Sequence, residues 1–270
     1  GAALCRALLA EGHEVRAFHR ATSNLRLLAD LPVEHALGDL LKPESLPSAM
    51  AGVQAVFHSA ALLGGAGGND PGRYYAVTVE GTRAVMQAAL EVGVERVVHT
   101  SSAAALGVPQ SGGPRWLAPA LMAESHTWNY RADYWPYGYA KYLAEMEVQR
   151  AVADGLDAVI VNPSVVVGAG DVYRQTSSVV VQLARRRLPA AVEGGLNVIH
   201  LADVVSGHLA AWQRGRSGER YLLSAENLPI EDYLRRAAAV IGAPAPRVIL
   251  PAGVARALAR PYRWAEGLIR

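Results

Sequence analysis

Three side chains with complementary proton chemistry occur at spacings that a folded chain can bring together. Tyr137 and Lys141 lie four positions apart, so a helix would place them on one face about one turn from each other. Ser102 lies upstream, just after the strand-like segment Arg96–Thr100. A lysine cation favours the phenolate and lowers the pKa of a tyrosine from about 10 toward working pH. With a serine hydroxyl to hold the substrate oxygen, this set predicts general acid–base chemistry at that oxygen.

A tyrosine and a lysine at this spacing also occur by chance as a surface pair. The predicted elements around them therefore help to decide whether the pair is functional. Ser102 ends a predicted strand, and Tyr137 opens a predicted helix. Both therefore fall at the carboxyl edge of a sheet, which is where open α/β sheets bind ligands.

Strands and helices alternate along the first 163 residues. Apolar segments such as Val53–His58 and Ala158–Val161 are separated by the long helical patterns Pro71–Val92 and Tyr137–Asp154. Continuous Val/Ile runs between helices are typical of a parallel sheet that is buried on both faces. The sequence therefore predicts an α/β fold with a Rossmann-type, doubly wound parallel sheet.

The regular alternation loosens after Pro163, which predicts a small C-terminal substrate lobe that is not contiguous in sequence. We expect a dinucleotide-binding domain over residues 1–163, to which residues 195–225 return. Residues 164–194 and 226–270 would form the substrate-binding lobe.

Composition excludes several classes of function. A net charge of +2 on 270 residues indicates no nucleic-acid partner, and no apolar run approaches the ~18 residues of a membrane span. Cys5 is the sole cysteine, and the histidines show no metal-ligand spacing, so we expect no disulfide and no metal. These features fit a cytoplasmic protein that acts on a small molecule.

Several motifs, in this order and spacing, identify the chain as a member of the extended short-chain dehydrogenase/reductases, within the NAD-dependent epimerase/dehydratase superfamily. It resembles most closely the dihydroflavonol-4-reductase-like and 3β-hydroxysteroid-dehydrogenase-like members. The motifs cover Ala7–Arg16, Gly38–Leu40, Val56–Ala61, Val79–Arg83, Gly93–Ser102, Tyr137–Lys141 and Asn162–Asp171.

The resemblance implies a role for each reacting group. Tyr137 would be the general acid/base, and Lys141 would lower its pKa and bind the nicotinamide ribose. Ser102 would polarise the substrate oxygen, with Ser101 as the weaker alternative.

The resemblance also implies a nicotinamide dinucleotide cofactor. Gly1 would be the third glycine of the family's phosphate-binding fingerprint, so we expect that the first strand and two glycines are missing from the N-terminus. The second strand of the family would end at Phe18-His-Arg20, where no acid is available for the ribose hydroxyls of NAD. Arg20 would suit a 2′-phosphate, which favours NADP over NAD, although a solvated arginine at a strand end is the alternative.

Further cofactor contacts follow from the resemblance. Asp39 would contact the adenine, although a turn aspartate after glycine is about as consistent with the spacing. The remaining implied contacts are Leu40, packed on the adenine ring, Ala60 and Ala61 beside the cofactor, and Asn162 with Pro163 over the nicotinamide.

A long insertion, residues 103–136, precedes the catalytic tyrosine and is rich in aromatic residues. Its tryptophans are Trp116, Trp128 and Trp135. A loop this long in a compact domain is usually functional. It would form an apolar wall for a ring-shaped substrate or a stacking surface for a sugar, unless the loop packs on itself.

Taken with the resemblance, these features predict an oxidoreductase that transfers a hydride between nicotinamide and a carbonyl or secondary alcohol. Two alternatives remain: a sugar-nucleotide epimerase/dehydratase that retains NAD, and a non-catalytic dinucleotide-binding regulator. The resemblance further implies a homodimer, paired through helices near residues 75–92 and 138–153. The faces containing Ala84, Ala88, Ala140 and Ala144 would permit close helix approach there or pack internally.

Overall fold

The computed structural model describes residues 1–62, 70–109, 121–172, 178–255 and 257. The chain divides into two compact units. The first comprises Gly1–Ser164 and His200–Leu223, and the second comprises Val165–Ile199 and Ser224–Arg270. Within the described residues, no helix is both long enough and apolar enough to cross a membrane.

The elements follow one another in the alternating order that the sequence predicts. The helices are α1 (Ala2–Ala10), α2 (Leu46–Met50), α3 (Pro71–Tyr74), α4 (Gly81–Val92), α5 (Pro136–Ala153), α6 (Ser178–Ala184), α7 (Leu201–Arg214) and α8 (Ile230–Ile241). The strands are β1 (Arg16–His19), β2 (Glu34–Leu37), β3 (Ala55–His58), β4 (Arg96–Thr100), β5 (Ala158–Pro163), β6 (Val165–Val167), β7 (Ala190–Val192), β8 (Gly195–His200), β9 (Arg220–Leu223), β10 (Glu226–Pro229) and β11 (Val248–Leu250). A π-helical segment, Tyr75–Glu80, joins α3 to α4, and short 3₁₀ helices cover Pro43–Ser45 and Ala103–Leu106.

A four-stranded parallel sheet, in the order β3-β4-β5-β9, forms the centre of the first unit. All six residues of β5 are buried, as its run of apolar residues predicts for a sheet covered on both faces. One apolar cluster combines residues of α2, α4 and α5 with Val97 and Ile160. A second packs Ala211 and Trp212 of α7 against Val98 and Val159. The prediction of an α/β Rossmann-type fold is confirmed.

The first two strands, β1 and β2, pair in parallel as a separate two-stranded sheet. A cleft of about 760 Å³ is lined by residues of both β1 and β3, together with α1. Apolar side chains on its walls include Leu4, Phe18 and Val56. The hydrogen-bonded sheet is therefore interrupted between β1 and β3.

The second unit contains two small sheets. β8 lies between β10 and β6, and β7 pairs in parallel with β11. Because β8 pairs with β10 in antiparallel register, residues 195–199 belong to this unit, and the segment returning to the first unit begins at His200. Leu234 and Ala238 are buried on α8.

The alanine faces of α4 and α5 lie inside the first unit. Ala84, Ala88 and Ala144 are buried, and α4 packs directly against α5. Ala140 is buried in a cluster with Tyr74. These small residues therefore serve close packing within the chain, which is the second of the two options that the sequence left open.

Candidate active site

The carboxyl ends of β3, β4 and β5 lie at one edge of the parallel sheet. Registers such as His58↔His99 and Thr100↔Val161 align these strands side by side. The residues that follow them, including Ser102 and Ala60, are therefore carried to the same edge, where α/β sheets bind ligands.

Tyr137 is the second residue of α5, which begins with Pro136 at a position where the missing proline N–H is not needed. A Cβ at Gly138 would lie 2.8 Å from Trp128 and 3.0 Å from the carbonyl of Ala104. Only glycine therefore lets the start of α5 approach the 3₁₀ turn that follows Ser102. This close approach packs the start of α5 against the turn that Ser102 caps.

Burial raises the pKa of Tyr137, while the neighbouring Ser102 hydroxyl opposes this shift and Tyr74 adds to it. The Tyr74 and Tyr137 ring centroids are 6.1 Å apart in an edge-to-face arrangement. The net shift of the Tyr137 pKa in the chain by itself is therefore upward, against the lowering that the sequence predicts, because burial outweighs the opposing contribution. At neutral pH the phenol holds its proton.

Lys141 is only 3% exposed, and its Nζ donates a hydrogen bond to the carbonyl oxygen of Thr100 at 3.0 Å. Burial lowers the pKa of Lys141 to about 8, with the Glu145 carboxylate acting in the opposite direction. An ammonium has three protons to donate, so the group can serve further acceptors besides Thr100.

The two adjacent serines do different things. The Oγ of Ser102 accepts a hydrogen bond from the backbone N–H of Ala104 at 3.2 Å and caps the 3₁₀ turn. Ser101 is buried, and its Oγ donates to Glu145 Oε1 at 2.5 Å. The geometry therefore places Ser102 beside Tyr137 and commits the hydroxyl of Ser101 to a different partner.

Asn162 connects the end of β5 to this site. Its Nδ2 donates to the carbonyl oxygen of Ser102 at 3.0 Å and to Glu145 Oε1 at 2.6 Å. Arg220 of β9 lies 3.3 Å from Glu145 Oε2 as an ion pair. Sequence reasoning missed Glu145 and Arg220. The available signal was the four-residue spacing from Lys141 to Glu145, which puts both on one helical face.

Three histidines are buried near the lysine. Burial lowers the pKa of His58 to about 3, with Lys141 adding to the shift, and burial holds the pKa of His99 well below its usual range. His208 of α7 bonds to Thr100 Oγ1 at 2.8 Å through Nε2. These histidines are neutral at physiological pH, and His58 is a packed strand residue bonded to Thr82.

Three of the residues predicted to hold a dinucleotide line one cleft. Gly1, Leu40 and Ala60 all line the cleft between β1 and β3, and Ala61 is the third residue after the end of β3. Gly1 is the N-cap of α1 with no side-chain hydrogen bond, and a Cβ there would meet nothing within 4 Å.

The residues predicted to contact the adenosine differ in their present partners. Arg20 is exposed just after β1, and its backbone N–H donates to Ser23 Oγ at 3.1 Å. Asp39 Oδ1 accepts from the N–H of Leu41 at 3.0 Å, which is the turn geometry that the sequence left open as an alternative. The roles of both residues in nucleotide binding stay predictions, and Arg20 is exposed at the surface.

The described part of the aromatic insertion packs against the start of α5. Trp128 lies 6.3 Å from Tyr142, nearly parallel to it, and 5.6 Å from Tyr139, measured between ring centroids. Trp135 is 6.0 Å from Trp128. This part of the loop therefore packs on itself and on the helix, and Trp116 lies outside the described residues.

Comparison with known proteins decides the family. Residues 1–224 match the model of the NAD dependent epimerase/dehydratase family. The chain belongs to this family. The resemblance drawn from the motifs is thereby confirmed.

Members of the family with considerable sequence identity include reductases. The chain is 38% identical over 256 residues to a Synechocystis sp. protein that carries the provisional name dihydroflavonol 4-reductase, covering 93% of this chain and 72% of the relative. It is 31% identical over 254 residues to 2-alkyl-3-oxoalkanoate reductase of Stenotrophomonas maltophilia, covering 90% and 73%. The crystal structure of gox2253 matches with a TM-score of 0.80 at 38% identity, covering 97% of this chain and 80% of that one.

These similarities confirm the predicted class of enzyme, an NAD(P)-dependent oxidoreductase of the short-chain dehydrogenase/reductase type. They do not favour the epimerase alternative over the reductase. The relatives named above are reductases, so the non-catalytic regulator is the least supported of the three hypotheses.

Proposed function

We propose that this enzyme interconverts a carbonyl group and a secondary alcohol on a small substrate, using NADP(H) in preference to NAD(H). The observation that carries the proposal is the packing of the start of α5, with Tyr137 and, one turn along, Lys141, against the turn that Ser102 caps at the carboxyl edge of the sheet. When bound, the nicotinamide supplies or accepts the hydride. The residues of the chain supply position and a proton.

In the reductive direction Tyr137 donates its phenolic proton to the carbonyl oxygen. Its raised pKa keeps it protonated at neutral pH, as a general acid must be. Ser102 donates a hydrogen bond to the same oxygen, and the charge of Lys141 stabilises the phenolate that remains. Oxidation of the alcohol reverses these proton movements.

We assign cofactor binding to the residues at the sheet edge and at the start of α1. Arg20, exposed after β1, would bind the 2′-phosphate of NADP through its guanidinium fork. Lys141 would donate to the nicotinamide ribose. The other residues in this assignment are Gly1, Asp39, Leu40, Ala60, Ala61, Asn162 and Pro163.

The proposal also covers the roles of the two units, the location of the protein and its oligomeric state. The first unit would bind the dinucleotide, and the second would be the substrate-binding lobe. A cytoplasmic location agrees with the single cysteine, Cys5, and a homodimer is expected from the family resemblance. Size-exclusion chromatography with light scattering tests the homodimer, and a monomeric mass would contradict it.

Nucleotide titration tests the cofactor assignment. NADPH and NADH are added to the purified protein and binding is followed by fluorescence, after a check for copurified nucleotide. Exchangeable binding that favours NADPH supports the proposal, whereas tightly retained NAD would support the epimerase alternative. Turnover is then measured with a 2-alkyl-3-oxoalkanoate and a dihydroflavonol, chosen because relatives are named for such compounds.

A further inference from the structure

One buried carboxylate close to the reacting groups has no part in the proton transfer just described. Glu145 lies on α5, one turn beyond Lys141, and its side chain is 0% exposed. A carboxylate is costly to bury, and burial raises the pKa of Glu145. Its partners in the structure indicate what the group holds in place.

Its oxygens contact three other elements. Oε1 accepts hydrogen bonds from Ser101 Oγ, which follows β4, and from Asn162 Nδ2 on β5. Oε2 forms an ion pair with Arg220 of β9 at 3.3 Å, without the geometry of a hydrogen bond. One helical residue therefore joins three neighbouring strands of the parallel sheet at the edge where the reacting groups lie.

These contacts hold the backbone on either side of the Ser102 side chain. Ser101 is its preceding neighbour in the chain, and Asn162 Nδ2 donates to the carbonyl oxygen of Ser102 as well as to Glu145. The backbone that carries the Ser102 hydroxyl is therefore fixed by two groups that share Glu145 Oε1. A shift of about 1 Å in a positioned group can reduce turnover about 10²-fold.

We propose that Glu145 is a positioning residue that, through Ser101 and Asn162, holds the Ser102 hydroxyl in line with Tyr137 and the substrate oxygen. This inference rests on the proposed function of that site. It goes beyond the three reacting groups because it assigns a role to a fourth residue, one that reaches neither substrate nor cofactor.

Electrostatics give the inference a second readout. Glu145 raises the pKa of Lys141, and the other charged group facing the carboxylate is Arg220. His58 and His99 also interact with Lys141, but their lowered pKa values keep both uncharged over the working pH range. Loss of the Glu145 charge would therefore lower the pKa of Lys141 further.

Glu145→Gln tests the proposal, with Glu147→Gln as the matched control. Glu147 lies two residues further along α5 and is largely buried in an ion pair with Arg83, away from the Ser101 and Asn162 contacts. Glutamine at 145 keeps the size but removes the charge. Its amide N–H₂ must face either the Arg220 guanidinium or the donors of Ser101 and Asn162, so one of these sets of contacts is disrupted. We expect kcat to fall about 10- to 100-fold, with KM and NADPH affinity within about twofold of wild type.

In the same variant, activity should fall at a pH about one unit lower than in wild type. The reason is that Lys141 deprotonates earlier once the neighbouring negative charge is gone. Glu147→Gln should keep the wild-type pH profile and kcat, even if it lowers thermal stability equally. A folded Glu145→Gln enzyme with wild-type kcat and pH profile would overturn the proposal.

A second variant keeps the inference testable if Glu145→Gln fails to fold. Ser101→Ala removes one donor to Glu145 and retains the charge, so it should lower kcat while the pH profile stays in place. Wild-type kcat in Ser101→Ala would contradict the positioning role. Tyr137→Phe separates the two proposals: if it retains turnover, the proposed function fails, whereas an inactive Tyr137→Phe beside a fully active Glu145→Gln refutes only this inference.

Discussion

The edge of the first unit that holds the candidate active site and the β1–β2 sheet of the same unit are built very differently. Around Tyr137 and Lys141, polar groups are buried and hold one another through short, specific hydrogen bonds. In β2, by contrast, Glu34, His35 and Leu37 are exposed, and the sheet has only two strands beside an open cleft. The proposed proton-transfer groups are held by packing, whereas the proposed nucleotide preference rests on a surface residue, Arg20, that could change at little structural cost.

The variant with the largest expected effect on activity removes the phenolic oxygen of Tyr137 from the buried site. Tyr137→Phe should lower kcat by about 10³-fold, because no other group replaces the phenolic proton. NADPH affinity should change less than about twofold, as measured by fluorescence titration, because the ring and its packing remain.

Tyr139→Phe is the matched control for that variant. Tyr139 lies on the same helix but stacks with Trp128 and Tyr142. It should retain wild-type turnover. Equal loss in both variants would mean that the effect comes from helix packing, not from the reacting hydroxyl.

The next largest effect concerns stability. Ile160 in the middle of β5 is completely buried, so Ile160→Ala should lower the free energy of unfolding by about 3 kcal/mol in urea denaturation. Leu37→Ala on β2 should change it by less than about 0.5 kcal/mol, because Leu37 is 65% exposed. Similar losses at both sites would remove the contrast between the two regions.

The pH dependence of stability provides a finer test. Because the folded pKa of Lys141 is about 8 and the unfolded value is 10.5, the unfolded chain binds more protons between these pH values. The contribution of Lys141 to the free energy of unfolding should therefore rise by about 1–3 kcal/mol from pH 8 to pH 10.5.

Urea denaturation at several pH values measures this rise. Lys141→Met should abolish it, while Lys42→Met should preserve it because Lys42 is exposed. Stability curves that are parallel in wild type and Lys141→Met would show that the lysine is not buried as described.

The smallest expected effect is a change in nucleotide affinity at Arg20, which is exposed after β1. Arg20→Ala should weaken NADPH binding about 10-fold and leave NADH binding unchanged, because only NADPH carries the 2′-phosphate. Arg26→Ala, a nearby exposed arginine, is the control. Equal weakening for both nucleotides would rule out the specific role assigned to Arg20.

The sequence was sufficient for features set by local pattern. The end of β4 before Ser102 and the shared helix of Tyr137 and Lys141 agree with the sequence prediction, because apolar runs and four-residue spacing translate directly into position. The role of Glu145 was not visible, since its partners Ser101 and Asn162 come from strands far away in the chain. The direction of the Tyr137 pKa shift was also missed, because burial depends on what packs around the ring.

The packing partner of the alanine-rich faces on α4 and α5 also could not be predicted from the sequence. Small residues on α4 and α5 predict close approach, but the sequence cannot say whether the neighbour is the same chain or another. In the structure, α4 packs on α5, and Ala88 and Ala144 are buried within one unit.

The packed aromatic side chains at the start of α5 provide an intrinsic fluorescence probe of this part of the enzyme. Trp128 and Trp135 are 6.0 Å apart and lie within the segment that leads into Tyr137. Indole emission responds to quenching by neighbouring rings and to changes in local polarity. Intrinsic fluorescence of this segment should therefore register rearrangement beside the catalytic tyrosine without any added label, and single Trp→Phe variants would assign each part of the signal.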